Sequence, residues 1–101
     1  MKLIASKNLR EFWARYPDAE QPLKSWADEF KHAAWTRPAD IKGQFRSASI
    51  LKNRRVVFNI KGNDYRPVVS VAYKFGAIYI KFGGTHSQYG AVDAETIELE
   101  Q

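Results

Sequence analysis

Apolar side chains repeat at helical spacing in two segments near the start of the chain. In both, they stand at positions i, i+3, i+4 and i+7: Leu9, Phe12, Trp13 and Tyr16, then Leu23, Trp26, Ala27 and Phe30. This spacing places apolar side chains on one face of a helix. Ser6 is suited to cap the first helix, Pro17 to end it and Pro22 to lie in the first turn of the second. The pattern predicts an antiparallel helix hairpin whose aromatic stripes face a core, with a base-stacking surface as the alternative.

Residues 56–82 change to an alternation that predicts three consecutive strands. Gly62-Asn63 is suited to a two-residue hairpin turn, which pairs Ile60 with Tyr65, and a second turn is expected near Gly76. Directly paired residues share a face of a sheet. One face is then apolar and is the predicted core face: Val56, Phe58, Ile60, Tyr65, Val69, Val71, Tyr73, Ile78, Ile80 and Phe82.

The opposite face of this sheet gathers polar side chains, together with Val57 and Val68. They are Asn59, Lys61, Arg66, Tyr79 and Lys81. The register places Arg66 near Thr85, one residue before His86. Pro67 cannot donate to a ladder, so the register predicts that Pro67 and Phe58 form a non-hydrogen-bonded pair.

The remaining segments predict minor elements. Met1–Ile4 is a candidate edge strand, and residues 39–42 could form one helical turn. Gly83-Gly84 is expected to let the chain turn sharply into a loop that holds His86 and Tyr89. We therefore predict an α+β fold in a single domain, residues 1–101, with the helix hairpin packed on a mainly antiparallel sheet of about four strands.

Charge is distributed unevenly along the chain. The net charge is +5, from 16 Lys and Arg against 11 Asp and Glu. Residues 93–101 hold four acids and no base, so residues 1–92 carry 16 bases against 7 acids, or +9. This excess favours a polyanionic partner such as nucleic acid over a merely basic protein. A basic cluster before the first long strand is either solvated surface or a phosphate contact: Lys52, Arg54 and Arg55.

Composition narrows the classes of protein and site. The chain has no cysteine, which excludes disulfides and a thiol nucleophile. No apolar run approaches the roughly 20 residues of a membrane span, and the N-terminus lacks the apolar core of a signal peptide. We expect a soluble cytoplasmic protein with no membrane partner. CxxC and HExxH motifs are absent, so no metal and no other cofactor is expected.

The polar face suits RNA cleavage without a metal. The 2′-OH attacks the adjacent phosphate while a base takes its proton, an acid protonates the leaving 5′-oxygen, and cations stabilise the developing charge. Histidine is the usual side chain for acid–base chemistry near neutral pH, so His86 is the candidate acid or base; a structural or merely exposed histidine is the alternative. Tyr89 could stack on a base, position a group or act as acid, and Lys61, Arg66 and Lys81 could bind phosphate.

Several segments of the chain resemble a known protein family. The segments VVFNIKGNDYR, YIKFGGTHSQY and VDAETI are similar to the HigB family of type II toxin–antitoxin toxins, which are relatives of RelE. WARYPDAEQPLKSW and RPADIKGQFRSASIL resemble the family's helical half and connecting segment. The likeness covers nearly the whole chain.

The resemblance implies a RelE-like fold and a metal-independent endoribonuclease that cuts mRNA, commonly on the ribosome. It also implies a HigA-type antitoxin with a helix-turn-helix domain. The toxin would contact operator DNA only through this antitoxin. The implied site residues are Lys61, Arg66, Lys81, His86 and Tyr89, supported by Asn59 and Tyr79, with the roles of acid and base left open.

Four positions depart from the family pattern. We would expect a bulky apolar residue at Gly83, an apolar residue at Pro67, arginine at Lys81 and aspartate at Gly90. The two glycines could loosen the loop around His86, which favours reduced activity. The alternatives to an active toxin are a catalytically weak relative that binds RNA or antitoxin, and a small basic domain that binds another protein.

Overall fold

Helices and strands are largely segregated along the chain, in an α+β arrangement, in the computed structural model, which describes residues 1–4, 6–62 and 64–98. The elements are β1 (Lys2–Ile4), α1 (Ser6–Arg15), α2 (Glu20–Lys31), α3 (Pro38–Gln44), β2 (Ser49–Ile50), β3 (Arg55–Val57), β4 (Tyr65–Ala72), β5 (Ala77–Thr85) and α4 (His86–Tyr89). Short 3-10 turns cover Pro17–Ala19 and Tyr73–Phe75. No helix within these described ranges is long and apolar enough to span a bilayer.

The sheet has five strands in the order β1-β5-β4-β3-β2, in which β1 runs parallel to β5 and the other pairs are antiparallel. The predicted α+β class is confirmed. One strand more than expected arises because β2 forms a hairpin with β3. Asn53 and Arg54 turn that hairpin with φ of 60° and 59°, and the Arg55 N–H donates to the Lys52 carbonyl at 3.2 Å.

The helix hairpin forms as its apolar spacing predicts. Pro17 follows the end of α1, and Pro22 lies in the first turn of α2. The aromatic stripes face the core, because Phe30 packs edge-to-face on both Trp26 and Trp35. Residues 39–42 belong to a helix that is longer than the single predicted turn. Burial of large aromatic side chains is the main source of stability in a domain of this size.

The register of β3 on β4 is the predicted one. Val56 opposes Val69, and an isolated bridge joins Ile60 to Tyr65. Gly62 adopts a positive φ of 67°, as the turn requires, whereas Asn63 lies outside the described residues. All the residues predicted on the core face up to Val71 are buried beneath the helices: Val56, Phe58, Ile60, Tyr65, Val69 and Val71.

The predicted pairing of Pro67 was wrong. The Phe58 N–H donates to the Pro67 carbonyl at 3.0 Å, so this pair lies at a hydrogen-bonding position of the ladder. Proline has no N–H to return the second bond, and the regular strand β3 ends at Val57. The register continues beyond the missing hydrogen bond, as the bridge from Ile60 to Tyr65 shows, and the side chain of Pro67 is buried.

A β-bulge in the hairpin of β4 and β5 changes which residues share a face. The register shifts between Val68 and Val69, so Val68 pairs with Phe82 and Lys81 is the additional residue. Phe82 therefore packs on the face opposite to the predicted core face. Arg66 lies opposite Gly84, one residue from Thr85, near which it was expected.

This second face of the sheet is partly apolar and covered. Val57 and Val68 are buried there with Ala94, and Ile97 packs against them. Residues 94–97 of the acidic C-terminal segment therefore pack on the face that was expected to be polar and open. The four-residue helix α4 lies beside them, with Tyr89 against the same cluster.

Gly83 and Gly84 do not turn the chain, because both lie within β5. Gly84 has a packing role: a Cβ there would lie 2.5 Å from Phe82 Cζ and 3.0 Å from Gln88 Oε1. A Cβ on Gly83 would meet no described atom within 4 Å. The two neighbouring glycines are therefore not equivalent.

We expect opposite effects from alanine at these two glycines. Gly83→Ala should raise the free energy of unfolding by about 0.5–1 kcal/mol, since alanine restricts the unfolded chain and its methyl group has space. Gly84→Ala should lower that free energy by about 1–3 kcal/mol, since the ring of Phe82 must shift. Urea unfolding of the two variants measures both changes, and equal shifts would contradict this packing.

Candidate active site

The helix α4 holds the candidate histidine and tyrosine on one turn. His86 and Tyr89 are three residues apart, so they lie on neighbouring positions of the helix surface. The helix begins with a capping box: the Gln88 N–H donates to Thr85 Oγ1 at 3.2 Å, and the Thr85 N–H donates to Gln88 Oε1 at 2.9 Å. The sequence carried this pattern, Thr-x-x-Gln, and it would have predicted a helix where a loop was expected.

An open pocket of about 520 Å³ lies beside His86. It is lined by Tyr16, Asp64, Tyr65, Thr85, His86 and Ser87. The His86 N–H donates to the Asp64 carbonyl at 3.1 Å, which ties α4 to the β3–β4 turn. Tyr16 and Asp64 were missed in the sequence, because their proximity depends on packing the end of α1 against this turn. The pocket therefore offers two tyrosine rings, the aspartate Asp64 and the histidine His86 in one lining.

Arg66 lies over the ring of Tyr89, with 4.9 Å from the guanidinium carbon to the ring centroid. This is the distance of a cation–π contact. Arg66 forms no salt bridge to a described carboxylate. The structure therefore brings together Arg66, Tyr89 and the helix that begins with His86, as the sheet register had suggested.

Lys61 points to the helical side of the sheet, not to the predicted polar face. Its ammonium group donates to Asp18 Oδ2 at 2.6 Å, and the hydroxyl of Tyr65 donates to the other oxygen of Asp18. Lys61 has a φ of 54°, so the alternation of a strand no longer applies there. Tyr65, which shares Asp18 with Lys61, also lines the pocket of His86, whereas Lys61 does not line it.

The two hydrogen bonds at Asp18 shift the pKa values of the three side chains that share them. The bond from Lys61, then the bond from Tyr65, lowers the pKa of Asp18 below its ordinary value. The bond to Asp18 raises the pKa of Lys61. The same carboxylate, followed by burial, raises the pKa of Tyr65 to about 12. Lys61 therefore stays protonated, and its positive charge is paired with the negative charge of Asp18.

Lys81 and Arg55 meet at a separate position on the second face of the sheet. Both donate to Glu98: Lys81 Nζ to Oε2 at 2.7 Å and Arg55 Nη2 to Oε1 at 2.6 Å. The bond from Lys81 is the main cause that lowers the pKa of Glu98. Lys81 Nζ also lies 5.9 Å from the ring centroid of Tyr79. Arg55 is buried, which the basic cluster in the sequence did not predict.

The other predicted site residues lie apart from His86. Asn59 Nδ2 donates to the Ser47 carbonyl at 3.0 Å, which links the segment after β3 to the segment after α3. Lys52 and Arg54 are exposed in the β2–β3 hairpin turn. Gly90 has helical angles of φ −61° and ψ −17°, which every residue type adopts.

Two centres result from this arrangement. Arg66 and Tyr89, together with the helix that begins at His86, form the first centre, and Arg55, Lys81 and Tyr79 form the second. Neither Arg66 nor Tyr89 lines the pocket beside His86. Within residues 1–4, 6–62 and 64–98, no three His, Asp or Glu side chains are grouped so that they could hold a metal ion. The imidazole, phenol and guanidinium of the first centre can transfer protons and bind a phosphate.

Comparison with known proteins gives consistent results. Residues 19–92 match the profile of HigB_toxin, described as a RelE-like toxic component of a toxin–antitoxin system. The chain is 29% identical over 91 residues to the mRNA interferase toxin HigB of Escherichia coli strain K12, with 88% of each chain covered. It has the same identity and coverage with the mRNA interferase HigB of Escherichia coli O157:H7 and that of Shigella flexneri.

Proposed function

The chain belongs to the HigB family of RelE-like toxins, and on that premise we propose that it is an mRNA-cleaving endoribonuclease. The observation that supports this most is the grouping of Arg66 and Tyr89, 4.9 Å apart, with the helix that His86 begins. The names of the Escherichia coli and Shigella flexneri relatives support the same activity.

The proposed reaction is an internal transesterification that needs no metal. The 2′-oxygen forms a bond to phosphorus and the bond from phosphorus to the 5′-oxygen breaks. One group takes the proton of the 2′-OH and another protonates the leaving 5′-oxygen. His86 is one of these groups. Arg66 stabilises the negative charge that develops on the phosphate, and its guanidinium geometry suits two phosphate oxygens.

The remaining predicted residues have supporting roles in this proposal. Tyr89 orients Arg66 through the cation–π contact and offers a ring on which a base can stack. The charge of Lys61 is paired with Asp18, so Lys61 neutralises a phosphate fully when that ion pair is broken. Lys81, Tyr79 and Asn59, with Lys52, Arg54 and Arg55, contact flanking RNA at greater distance from the reaction.

The proposed partners follow from the family. A toxic component of a toxin–antitoxin system requires an antitoxin, which we propose to be of the HigA type with a helix-turn-helix domain. The toxin then reaches operator DNA only through that protein. The mRNA is proposed to be cut on the translating ribosome in the cytoplasm.

A non-catalytic binding protein is the second candidate. The ion pairs of Lys61 with Asp18 and of Lys81 and Arg55 with Glu98 favour it, because they occupy three of the cations expected to neutralise the phosphate. Such a protein would bind RNA or antitoxin without cutting.

A cleavage assay with and without translation separates these candidates. The purified protein should cut an mRNA in a reconstituted translation system and leave the same mRNA intact when ribosomes are omitted. Cleavage of free mRNA at the same rate would contradict the ribosome dependence. Intact mRNA in both reactions, together with binding of RNA or antitoxin, would favour the second candidate.

A further inference from the structure

One carboxylate bridges two cations on the second face of the sheet. The two oxygens of Glu98 each accept a bond, one from Arg55 at 2.6 Å and one from Lys81 at 2.7 Å. Arg55 also donates through Nη1 to the Ile97 carbonyl. The guanidinium and the ammonium therefore converge on a single anion.

The two cations are fixed more firmly than the anion. The side chains of Arg55 and Lys81 are 7% and 25% exposed, and they belong to β3 and β5. Glu98 is 59% exposed and belongs to no helix or strand. A carboxylate that is itself exposed can be exchanged for another anion, because water screens its charge.

A phosphodiester could replace this carboxylate. Its two non-bridging oxygens can accept from the same two donors, and arginine and lysine are the usual phosphate ligands. Tyr79 lies beside the ammonium of Lys81, and its side chain is exposed enough to stack on a base. A cation pair with an adjacent aromatic ring is a typical contact for single-stranded nucleic acid.

We propose that Arg55 and Lys81 form a phosphate subsite for RNA, and that Glu98 occupies this subsite as an internal competitor. This inference rests on the proposed function, since RNA is the ligand. The C-terminal segment then has two separate parts. Residues up to Ile97 cover Val57 and Val68, whereas Glu98 holds the subsite and must leave before a phosphate enters.

An internal anion weakens the apparent affinity for RNA, because only the open fraction of molecules can bind. Glu98→Gln removes the negative charge and keeps the shape of the side chain. We expect the Kd for RNA to fall about three- to tenfold at low salt, since the charge that competes with the phosphate is carried by an exposed carboxylate and is partly screened by water. The gain should shrink at high salt, where both the competitor and the phosphate are screened.

Fluorescence anisotropy with a fluorescein-labelled 2′-O-methyl oligoribonucleotide measures the Kd for RNA. This probe lacks the 2′-OH that attacks the phosphate, so it is not cleaved in the proposed reaction. Glu95→Gln is the matched control: it removes one charge from the same segment, but Glu95 accepts from the Lys52 N–H and not from the subsite. We expect its Kd to change less than twofold. A second test places Glu98→Gln in a Lys81→Ala background, where the gain in affinity should largely disappear.

The outcomes separate the subsite from the proposed function. Equal affinities for wild type and Glu98→Gln, or equal gains from Glu98→Gln and Glu95→Gln, overturn the internal competition while mRNA cleavage by the wild type still supports the enzyme. If the wild type neither binds this RNA nor cuts mRNA on ribosomes, the proposed function fails and the subsite fails with it. A gain confined to Glu98→Gln and dependent on Lys81 supports the inference.

Discussion

Replacement of His86 by alanine is expected to reduce mRNA cleavage on ribosomes by about 10²- to 10⁴-fold, the usual contribution of one positioned acid or base. His86 is exposed at the start of α4, and its backbone N–H holds the Asp64 carbonyl. The alanine variant keeps that backbone bond, so the fold and the capping box should remain. The loss would therefore report the imidazole itself. Single-turnover cleavage in a reconstituted translation system measures it.

His32→Ala is the matched control for this variant. His32 follows the end of α2 and is also exposed, but it lies outside the pocket of His86. Its removal should leave the cleavage rate within about twofold of wild type, since it takes no part in proton transfer. Equal activity of wild type and His86→Ala, with both proteins folded, would contradict a catalytic role for His86.

The largest effect on stability is expected from Phe58→Ala. Phe58 is 1% exposed, and its ring lies 5.0 Å from Phe45 and 5.3 Å from Trp26 between ring centroids. Truncation to alanine leaves a cavity among aromatic rings that cannot easily collapse, at a cost of about 3–5 kcal/mol. Because small domains are marginally stable, the variant should lose most of its free energy of unfolding. Urea denaturation followed by tryptophan fluorescence measures that loss.

Phe75→Ala makes the same chemical change on the surface and is the control. Phe75 is 79% exposed in the 3-10 turn between β4 and β5. Its truncation should change the free energy of unfolding by less than about 0.5 kcal/mol. Comparable losses in the two variants would mean that the aromatic cluster does not carry the stability of the core.

The sequence predicted the parts of the fold that depend on local periodicity. The helical spacing placed Leu23 and Phe30 in the core, and the turn residue Gly62 fixed the register that pairs Ile60 with Tyr65. In the hairpin of β3 and β4, burial and turn geometry favour the same register, because a slip of one residue would expose the apolar side chains. The family, by contrast, was predicted from the likeness of whole segments and is shown by the match over residues 19–92.

The bulge could not be predicted from alternation. Lys81 and Phe82 stand in a run that reads as an ordinary strand, and one additional residue moves Phe82 to the other face. A bulge is decided by the packing of both faces together. The presence of Val57 and Val68 on the second face was the available hint, because two valines opposite a core require a cover.

The carboxylates that pair with the basic residues could not be predicted from the sequence either. Asp18 meets Lys61 across 43 residues of sequence, and Glu98 meets Arg55 across another 43. Only the folded chain shows that these basic residues already have partners. The centre of His86, Tyr89 and Arg66 was more predictable, since one helical turn and one strand pairing define it.

The chemical ends of the cleaved mRNA test the proposed reaction most directly. Attack by the 2′-OH leaves a 2′,3′-cyclic phosphate on the upstream fragment and a 5′-hydroxyl on the downstream fragment. We expect those ends by mass spectrometry, and we expect a single 2′-deoxynucleotide at the cleavage site to block cutting there. A 3′-hydroxyl with a 5′-phosphate, or continued cutting at the 2′-deoxynucleotide, would contradict the reaction.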